Sequence, residues 1–546
     1  MIRKRGESGI IILTAVFFLI FTVIASDYFI LSMDNTHIKA ADEYSELTIR
    51  AGESQGTIYD RKMRPLVNEK SEYYAVIVPY AADMKAVEEY AYDEKELEKH
   101  RSSTVPYVIK CRKEMPSSEG ITVFEIPERY SEDNTAQHII GYLSEGKGAS
   151  GIEYAYDKIL RNESGENSVT YTCDGFGRVL IGDGKKVRES SCNVGGVVTT
   201  IDRDHQKICE NAVKDQAKGA IVLSDVYSGD ILSLVSFPGY SPDRIEEAIA
   251  DPESPLINRA LYSYSVGSIF KLVTACEAIN EGKNGYIYEC SGSIGIKGQR
   301  FNCHKYDGHG KENLTKALTD SCNTYFIALS RRLDKGSFRR LAHDLSFGRE
   351  TPLCAGIVGS SGVLPSLNDL DIPAELANFS FGQGKLSATP LQVNQMTCAI
   401  ANGGQVPVLR LIKGITVDGK NTANEKPPQL SAVISSDTSA GLRRMMTAAI
   451  RDNENANAYS PIVKIAAKTS TAQTGRYDDE GNEYCHGWIT GFFPADSPKY
   501  ALTVLIEDGG YGNDAAAPLF REIAEKIYLL ERKTEENATV SEKNGP

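Results

Sequence analysis

The sequence predicts an α+β protein whose main domain is an antiparallel sheet packed by helices. Two β-rich runs joined by a short turn, GAIVLSD and GDILSLVS, open this domain between residues 219 and 236. Helical patterns dominate residues 258–384, and three more β-rich runs, AAKTSTAQT, HGWITGFFP and YALTVLIED, lie between residues 466 and 508. Because β-rich runs lie at both ends of the domain, we expect their strands to share one sheet.

The N-terminal segment is apolar and follows a cluster of positive charge. Arg3, Lys4 and Arg5 precede residues 9–25, which contain no charged side chain. This length is close to the ~17 to 25 residues that a membrane-spanning helix needs. Since positive charge stays on the cytoplasmic side, we expect residues 1–34 to form a cytoplasmic stub and single-pass anchor in the cell membrane, with the rest extracellular. A cleaved signal peptide is the alternative, although its apolar region usually spans only ~7 to 15 residues.

The rest of the chain divides by composition into two domains and a tail. Residues 35–195 are polar with short apolar alternations, which predicts a small, extended mixed domain. Residues 196–532 predict the main domain, which ends in the helical pattern APLFREIAEKIYLLER. Residues 533–546 lack an apolar face and predict a disordered tail. The formal net charge of −13, without a basic stripe, argues against nucleic acid as a partner.

The eleven cysteines leave the redox state of the chain open. An odd number leaves at least one thiol unpaired, and no CxxC pair or zinc-ligand spacing appears. Cys290 and Cys303 flank a short Gly-rich segment. They either close a loop as a disulfide or remain free thiols in a reducing habitat.

The stretch YSVGSIFKLV is the first candidate for chemistry, because it places Ser268 three residues before Lys271. The pattern that follows is helical, and residues i and i+3 of a helix share a face, so the amine can reach the hydroxyl and act as its base. The amine must then be neutral, which requires burial or a nearby cation, and Lys468 is a candidate cation. The alternative is that Ser268 only caps the helix. A second Ser-x-x-Lys, at residues 144–147, lies among glycines and predicts a loop.

Ser321, Cys322 and Asn323 form the second candidate segment, at the end of a helical pattern. Ser321 could relay a proton, and Asn323 could hold an amide of a substrate; a polar helix end is the alternative. Two other copies of Ser-x-Asn, at residues 191–193 and 366–368, are disfavoured by their order and spacing relative to Ser268.

The third candidate segment is Lys468, Thr469, Ser470 and Thr471, within a predicted strand. A cation followed by hydroxyls on a sheet edge suits an extended peptide that ends in a carboxylate. An ordinary amphipathic strand is the alternative, since Thr is enriched in strands.

In this order, the three segments resemble the Ser-x-x-Lys, Ser-x-Asn and Lys-Thr-Gly motifs of penicillin-binding proteins and class A β-lactamases. The chain resembles a class B penicillin-binding protein over nearly its whole length. QGTIYDR and HIIGYLSEGKGASGIEYAYDKIL, within residues 55–160, are similar to motifs of the pedestal domain of that class. NRAL, FGQG, TPLQ and HGWITGFFP are similar to segments around its three motifs.

The resemblance implies a pedestal (dimerisation-like) domain followed by a transpeptidase domain. The transpeptidase domain contains a five-stranded antiparallel sheet flanked by helices, with a helical subdomain. The implied activity is that of a peptidoglycan D,D-transpeptidase, which cross-links stem peptides through a serine acyl-enzyme and is inhibited by β-lactams. No metal or organic cofactor is implied. The implied partner is an integral-membrane glycosyltransferase.

The resemblance also implies the role of each residue. Ser268 is the nucleophile, Lys271 the base that activates it, and Ser321 a proton relay. Asn323 contacts a substrate amide, and Lys468 contributes positive charge.

The third motif and the backbone complete the implied site. Thr469 and Thr471 help to bind the donor carboxylate, and the N–H groups of Ser268 and Thr471 form the oxyanion hole. Ser470 stands where the third motif usually has glycine. We expect its side chain to meet the substrate backbone and to alter acylation or β-lactam affinity.

Two further departures leave the catalytic groups intact. Val266 stands where proline is common before the nucleophile, and Gln55 stands where arginine is common in the pedestal motif.

Other functions remain open at this point. Glu375 and Asn378 are similar to the Glu-x-x-Asn of class A β-lactamases, which also need a general base for water. A class A synthase would need a glycosyltransferase domain, and residues 132–141 carry only part of its signature. A non-catalytic penicillin-binding sensor or scaffold would not need Ser268, Lys271 and Lys468 together.

Overall fold

The computed structural model describes residues 2–33, 46–131, 135–162, 165–182, 185–189, 195–216, 218–425, 427–453 and 455–543. These residues divide into two compact units. The first comprises Met1–Ser54, Lys70–Glu128 and Ser164–Cys192, and the second comprises Gln55–Glu69, Arg129–Glu163 and Asn193–Pro546. The domain boundaries predicted at residues 34 and 195 stay predictions.

The chain begins with a long apolar helix, Ile2–Met33. Its segment Gly9–Ser32 is long and apolar enough to cross a membrane, and none of it is buried inside the protein. The exposed apolar side chains therefore fit a single-pass membrane anchor.

The first unit contains two three-stranded antiparallel sheets. In one sheet, Lys70–Ile77 lies between Tyr107–Cys111 and Ile121–Glu128. In the other, Gly165–Thr172 lies between Glu46–Ser54 and Lys185–Arg188. Two short helices, Met84–Tyr90 and Glu94–Lys99, complete the unit.

A five-stranded sheet forms the centre of the second unit, as the resemblance implied. The strand order is Ile231–Phe237, Gly219–Asp225, Tyr500–Ile506, Glu483–Phe493 and Ala466–Tyr477. Every neighbouring pair is antiparallel. Strands from both ends of the domain thus share one sheet, which confirms the predicted α+β arrangement.

Both faces of this sheet are covered, so its central strands are apolar without alternation. In Glu483–Phe493, Trp488 and Phe492 point into one cluster of buried side chains. Ile489 and Phe493 point into another, together with Phe520 of the C-terminal helix. The alternation of side chains along the strand therefore divides the core into two layers.

The helix Pro390–Ala401 lies within the first of these layers, and all twelve of its residues are buried. Thr389 caps it, and the Gln392 side chain closes a reciprocal capping box. Asn394 Nδ2 donates to the carbonyls of Val222 and Ala501, which ties the helix to two strands of the sheet.

The remaining elements of the second unit surround this sheet and the helix Pro390–Ala401. Its other helices are Gln137–Ile140, Gly151–Ala155, Asp157–Asn162, Arg203–Ala212, Ile245–Ala250, Lys271–Asn280, Leu314–Thr319, Asn323–Ser330, Lys335–Asp344, Leu367–Leu370, Pro373–Phe379, Ser436–Arg451, Gly512–Ala515 and Ala517–Lys543. Its other strands are Thr57–Tyr59, Leu143–Ser144, Lys147–Gly148, Gly196–Thr199, Tyr288–Cys290, Ser293–Ile296, Gln299–Asn302, Gly310–Glu312, Thr351–Cys354, Ile357–Gly359, Gln405–Pro407, Ile412–Thr416 and Leu430–Ala432.

The C-terminal helix extends beyond its predicted end. The helix Ala517–Lys543 continues past residue 533, where we predicted that a disordered tail begins. Extending a helix that is already nucleated and packed costs little, and Glu and Lys are good helix formers. An i,i+4 ion pair of 3.5 Å between Arg532 and Glu536 supports the extension.

Candidate active site

Ser268 lies in a 3-10 turn, Gly267–Phe270, that leads directly into the helix Lys271–Asn280. Residues i and i+3 of such a turn are nearly eclipsed, which aligns the two side chains. Lys271 Nζ lies 2.9 Å from Ser268 Oγ. In the described part of the chain, neither the turn nor the helix begins with a side-chain capping hydrogen bond, so the alternative of Ser268 as a helix cap was wrong.

This turn packs closely between the sheet and the FGQG segment, and glycine at two positions allows the close contact. Gly267 has a positive φ of 60° and donates its N–H to the Gly382 carbonyl at 2.8 Å. A Cβ on Gly267 would lie 2.4 Å from Ser470 Oγ, and one on Gly382 would lie 2.1 Å from the Gly267 oxygen. The close approach of three backbone segments therefore requires glycine at both positions.

Lys271 is buried and surrounded by oxygen atoms. Its Nζ lies 2.7 Å from the Ser321 carbonyl, 2.7 Å from Asn323 Oδ1 and 3.1 Å from Ser321 Oγ, in addition to Ser268 Oγ. The two carbonyl oxygens can only accept hydrogen bonds. A neutral amine that donates its two hydrogens to them has its lone pair left for a hydroxyl proton.

The surroundings of Lys271 also favour the neutral amine. Burial, and then the positive charge of Lys468, lower the pKa of Lys271 well below the usual value for an amine. No carboxylate contacts Lys271 or Ser268 among the described residues. The role of Glu375 as a general base therefore finds no support in the geometry.

Ser321 bridges the two lysines. Its Oγ lies 3.1 Å from Lys271 Nζ and 3.2 Å from Lys468 Nζ. It stands before the helix Asn323–Ser330 with a φ of 52°, a left-handed conformation that costs a non-glycine residue about 1 kcal/mol. Local sequence does not favour this conformation, so the surrounding structure must hold it.

Lys468 lies on the edge strand Ala466–Tyr477 and is also buried. Besides Ser321 Oγ, it donates to the Thr469 carbonyl at 3.0 Å. Burial lowers the pKa of Lys468 to about 8, so the group is mostly a cation at neutral pH. The structure thus places a cation beside the Ser321 hydroxyl and near the Lys271 amine.

A cleft of about 530 Å³ opens beside Ser321, Lys468 and Thr469. Three asparagines form part of its wall: Asn453, Asn455 and Asn513. Thr469 and Thr471 are half-buried, and Thr471 Oγ1 accepts a hydrogen bond from the Gly512 N–H at 3.2 Å.

Ser470 lies on the buried face of the edge strand. Side chains alternate along a strand, so residues 468, 470 and 472 share one face. The Ser470 side chain is buried on this face and donates to the Val266 carbonyl at 2.9 Å. Its hydroxyl thus contacts the residue before the turn that carries Ser268, and a contact of Ser470 with substrate backbone stays a prediction.

Sequence reasoning missed the residues that hold the segment just before the turn Gly267–Phe270. Trp488 Nε1 donates to the Ser265 carbonyl at 3.1 Å, and Tyr264 Oη donates to Glu507 at 2.5 Å. Arg259 Nε lies 3.2 Å from the same carboxylate. The only signal was that NRAL and HGWITGFFP contain Arg259 and Trp488, without a role for either.

The competing motif copies lie outside this cluster. Residues 144–147 form a tight hairpin, in which Ser144 ends the strand Leu143–Ser144 and Lys147 begins its partner Lys147–Gly148. Ser366 caps the helix Leu367–Leu370. The copy at residues 191–193 and the start of the segment 132–141 lie outside the described residues. None of the ten described cysteines, which include Cys290 and Cys303, forms a disulfide.

Residues 219–525 match the family model of the penicillin-binding protein transpeptidase domain. The chain belongs to this family. All three motifs of this penicillin-binding protein lie within the matched residues, and the prediction of a class B member is confirmed.

Named relatives share much of its length. The chain is 30% identical over 434 residues to peptidoglycan D,D-transpeptidase PbpA of Mycolicibacterium smegmatis, which covers 73% of this chain and 83% of PbpA. It is 28% identical over 426 residues to stage V sporulation protein D of Bacillus subtilis. That match covers 74% of this chain and 64% of the sporulation protein, which is less than two thirds of its length.

A solved structure shows the same fold. Penicillin-binding protein A of M. tuberculosis, as a ceftriaxone acyl-enzyme complex, matches with a TM-score of 0.62 and 24% identity. The match covers 74% of this penicillin-binding protein and 92% of that chain.

Proposed function

We propose that this penicillin-binding protein is a peptidoglycan D,D-transpeptidase that works through an acyl-enzyme on Ser268. The observation that carries the proposal is the buried Lys271 amine, 2.9 Å from Ser268 Oγ and with carbonyl oxygens 2.7 Å away on two other sides. A depressed pKa of the Lys271 amine supports the role of base. The names of the relatives agree with this reaction.

Acylation begins with attack of Ser268 Oγ on the carbonyl carbon between the two D-alanines of a stem peptide. The hydroxyl proton passes to Lys271 Nζ as the C–O bond forms. The N–H groups of Ser268 and Thr471 stabilise the negative oxygen. The C–N bond then breaks, and a proton reaches the departing D-alanine amine through Ser321, which lies between both lysines.

The donor peptide lies along the strand that carries the third motif. Its terminal carboxylate faces the charge of Lys468 and the hydroxyls of Thr469 and Thr471. Asn323 holds a backbone amide of the donor. Ser470 contributes through its backbone only, because its hydroxyl is bonded to the Val266 carbonyl. A β-lactam inhibits by taking the place of this donor.

Deacylation reverses the roles with a second stem peptide. Its amine attacks the ester carbonyl carbon and loses a proton to Lys271, and the released Ser268 oxygen regains a proton. The product is a new amide cross-link, and the serine is free again.

The membrane arrangement and the partner belong to this proposal. The N-terminal helix anchors the chain, and the three basic residues that precede its apolar span keep the remainder on the extracellular face. Residues 35–195 form the pedestal. Glycan polymerisation is supplied by an integral-membrane glycosyltransferase.

Labelling with a fluorescent penicillin tests the reaction. The full-length chain, purified in detergent, is expected to form a long-lived adduct that peptide mapping places on Ser268. Ser268→Ala abolishes the label. Ser144→Ala is the matched control, because it removes the serine of the other Ser-x-x-Lys and leaves labelling unchanged.

Two results would contradict the proposal. An adduct that forms and is rapidly hydrolysed indicates a β-lactamase-like hydrolase. A correctly folded chain that forms no adduct indicates a non-catalytic sensor or scaffold.

A further inference from the structure

Four side chains that the proposed reaction does not use lie together beside the second motif: Cys290, Cys303, His309 and Cys322. Each offers one ligand atom, and these atoms all lie within 4.8 Å of one another. We infer that they bind a zinc ion in a tetrahedral Cys3His site. Sequence reasoning did not predict this site, because the four residues follow no linear zinc spacing.

The distances among the ligand atoms fit a shared metal. Cys303 Sγ lies 3.9 Å from Cys322 Sγ, and His309 Nδ1 lies 3.4 Å from Cys303 Sγ and 3.6 Å from Cys290 Sγ. Around a tetrahedral zinc with Zn–S of ~2.3 Å and Zn–N of ~2.0 Å, ligand atoms are about 3.5 to 3.8 Å apart. A disulfide instead requires about 2.0 Å between two sulfurs.

The chemistry of the set selects the metal. Three thiolates and one imidazole are the ligands of structural zinc, whereas Mg²⁺ and Ca²⁺ take oxygen ligands. Four protein ligands close a tetrahedral site and leave no position for a catalytic water. We therefore assign a structural role to the ion.

The surroundings of the thiols support metal binding. Cys290, Cys303 and Cys322 are 2%, 1% and 0% exposed. Thr324 Oγ1 donates to Cys290 Sγ at 3.0 Å and lies 3.4 Å from Cys322 Sγ. A hydroxyl that donates to a metal-bound thiolate orients it and tunes its affinity for the metal.

The ligands lie at the ends of four short elements, which a bound ion would cross-link. Pairs of strands this short are marginal by themselves in water. The four ligands stand at these places: Cys290 ends Tyr288–Cys290, Cys303 follows Gln299–Asn302, His309 precedes Gly310–Glu312, and Cys322 precedes Asn323–Ser330. An ion bound by all four adds binding free energy that only the folded state can gain.

The zinc site is directly connected to the proposed active site through the backbone, and this part of the inference rests on the proposed function. Cys322 is the residue between Ser321 and Asn323, and both neighbours contact Lys271. A metal that fixes Cys322 also fixes the left-handed backbone of Ser321, which its own conformational preference does not favour. Zinc thus positions the proton relay.

Metal content of the full-length chain tests the site. Protein purified in detergent from zinc-supplemented cells is expected to carry about one zinc per chain by elemental analysis. Cobalt substitution should give the intense thiolate-to-cobalt absorption of a tetrahedral site. His309→Asn and Cys303→Ser should lose the ion. His343→Asn is the control, since His343 lies outside the ligand set and pairs with Asp344, and it should keep the ion.

Two further measurements apply even when a ligand variant fails to fold. Thr324→Val keeps all four ligands and should weaken zinc binding by about tenfold. Treatment of the wild type with a chelator should release the zinc and expose three thiols to a thiol reagent, with penicillin labelling slowed by about tenfold or more.

The possible failures are distinguishable. Wild-type protein without bound zinc, zinc retained in both ligand variants, or iron in its place would overturn the inference. Bound zinc with equally fast labelling before and after chelation would overturn the link to Ser321. Zinc bound by a chain that never reacts with penicillin would leave the metal site in place and overturn the proposed function.

Discussion

Ser470 is a position where this chain departs from the glycine usual in its family, and its hydroxyl makes a contact that glycine cannot make. Ser470 Oγ donates to the Val266 carbonyl at 2.9 Å, and both residues are buried. Val266 directly precedes the turn Gly267–Phe270, which carries Ser268. We therefore predict that Ser470→Ala loosens this turn and slows acylation.

The size of the effect follows from the loss of one buried hydrogen bond. Such a bond contributes about 1 kcal/mol net, and the loss reaches ~3 kcal/mol if the carbonyl is left without a partner. If the turn must be reordered before Ser268 can react, the lost ~1 kcal/mol adds to the activation free energy, and the acylation rate falls about fivefold. Ser470→Gly adds about 0.5 to 1 kcal/mol of backbone freedom, which slows acylation by a further factor of about two to five.

The assay is the second-order rate of labelling by a fluorescent penicillin, with the thermal midpoint measured beside it. Thr474→Ala is the matched control. Thr474 is on the same strand and also donates to a backbone carbonyl, at 2.6 Å, but this bond is exposed and water can replace it. The reasoning is refuted if Ser470→Ala and Ser470→Gly both label as fast as the wild type, or if Thr474→Ala is equally slow.

The remaining predictions concern the two buried lysines and Tyr264. Acylation needs a neutral Lys271 and a charged Lys468. Its rate should therefore rise with pH through the depressed Lys271 pKa and fall above about pH 8, where Lys468 loses its proton. A pH profile of penicillin labelling without a fall at alkaline pH contradicts this. Lys271→Gln removes the base and should slow penicillin labelling by about 100-fold or more. Lys147→Gln, in the other Ser-x-x-Lys, is the control and should label at the wild-type rate. Equal labelling rates in the two variants would exclude Lys271 as the base. Tyr264→Phe removes the bond to Glu507, which should cost about 1.5 to 3 kcal/mol and lower the thermal midpoint by a few degrees. The exposed Tyr262→Phe is its control, and an equal change in both variants would mean that the bond is not stabilising.

The features that the sequence predicted correctly depend on local spacing. Ser268 and Lys271 meet because three residues make one turn of a helix, and 3-10 or α geometry both satisfy this. The strands of the central sheet are recognisable from their apolar runs, because each strand is buried by neighbours on both faces. The membrane segment is recognisable from length and absence of charge.

The features that sequence reasoning missed depend on which side of a strand or loop faces which neighbour. The direction of the Ser470 side chain follows from the register of the edge strand, which a motif does not specify. The extension of the last helix depends on a packed segment before residue 533 that nucleates it.

By itself, the sequence determined the order of the three motifs, the α+β class and the reaction type to propose. Only the tertiary structure decided that Ser321 bridges two lysines and that three thiols meet one imidazole. The sequence of a segment indicates its local structure, because the spacing of its apolar residues and its turn residues are short-range properties. Which atoms of distant segments come within 4 Å depends on how the whole core packs, and no single segment encodes that distance.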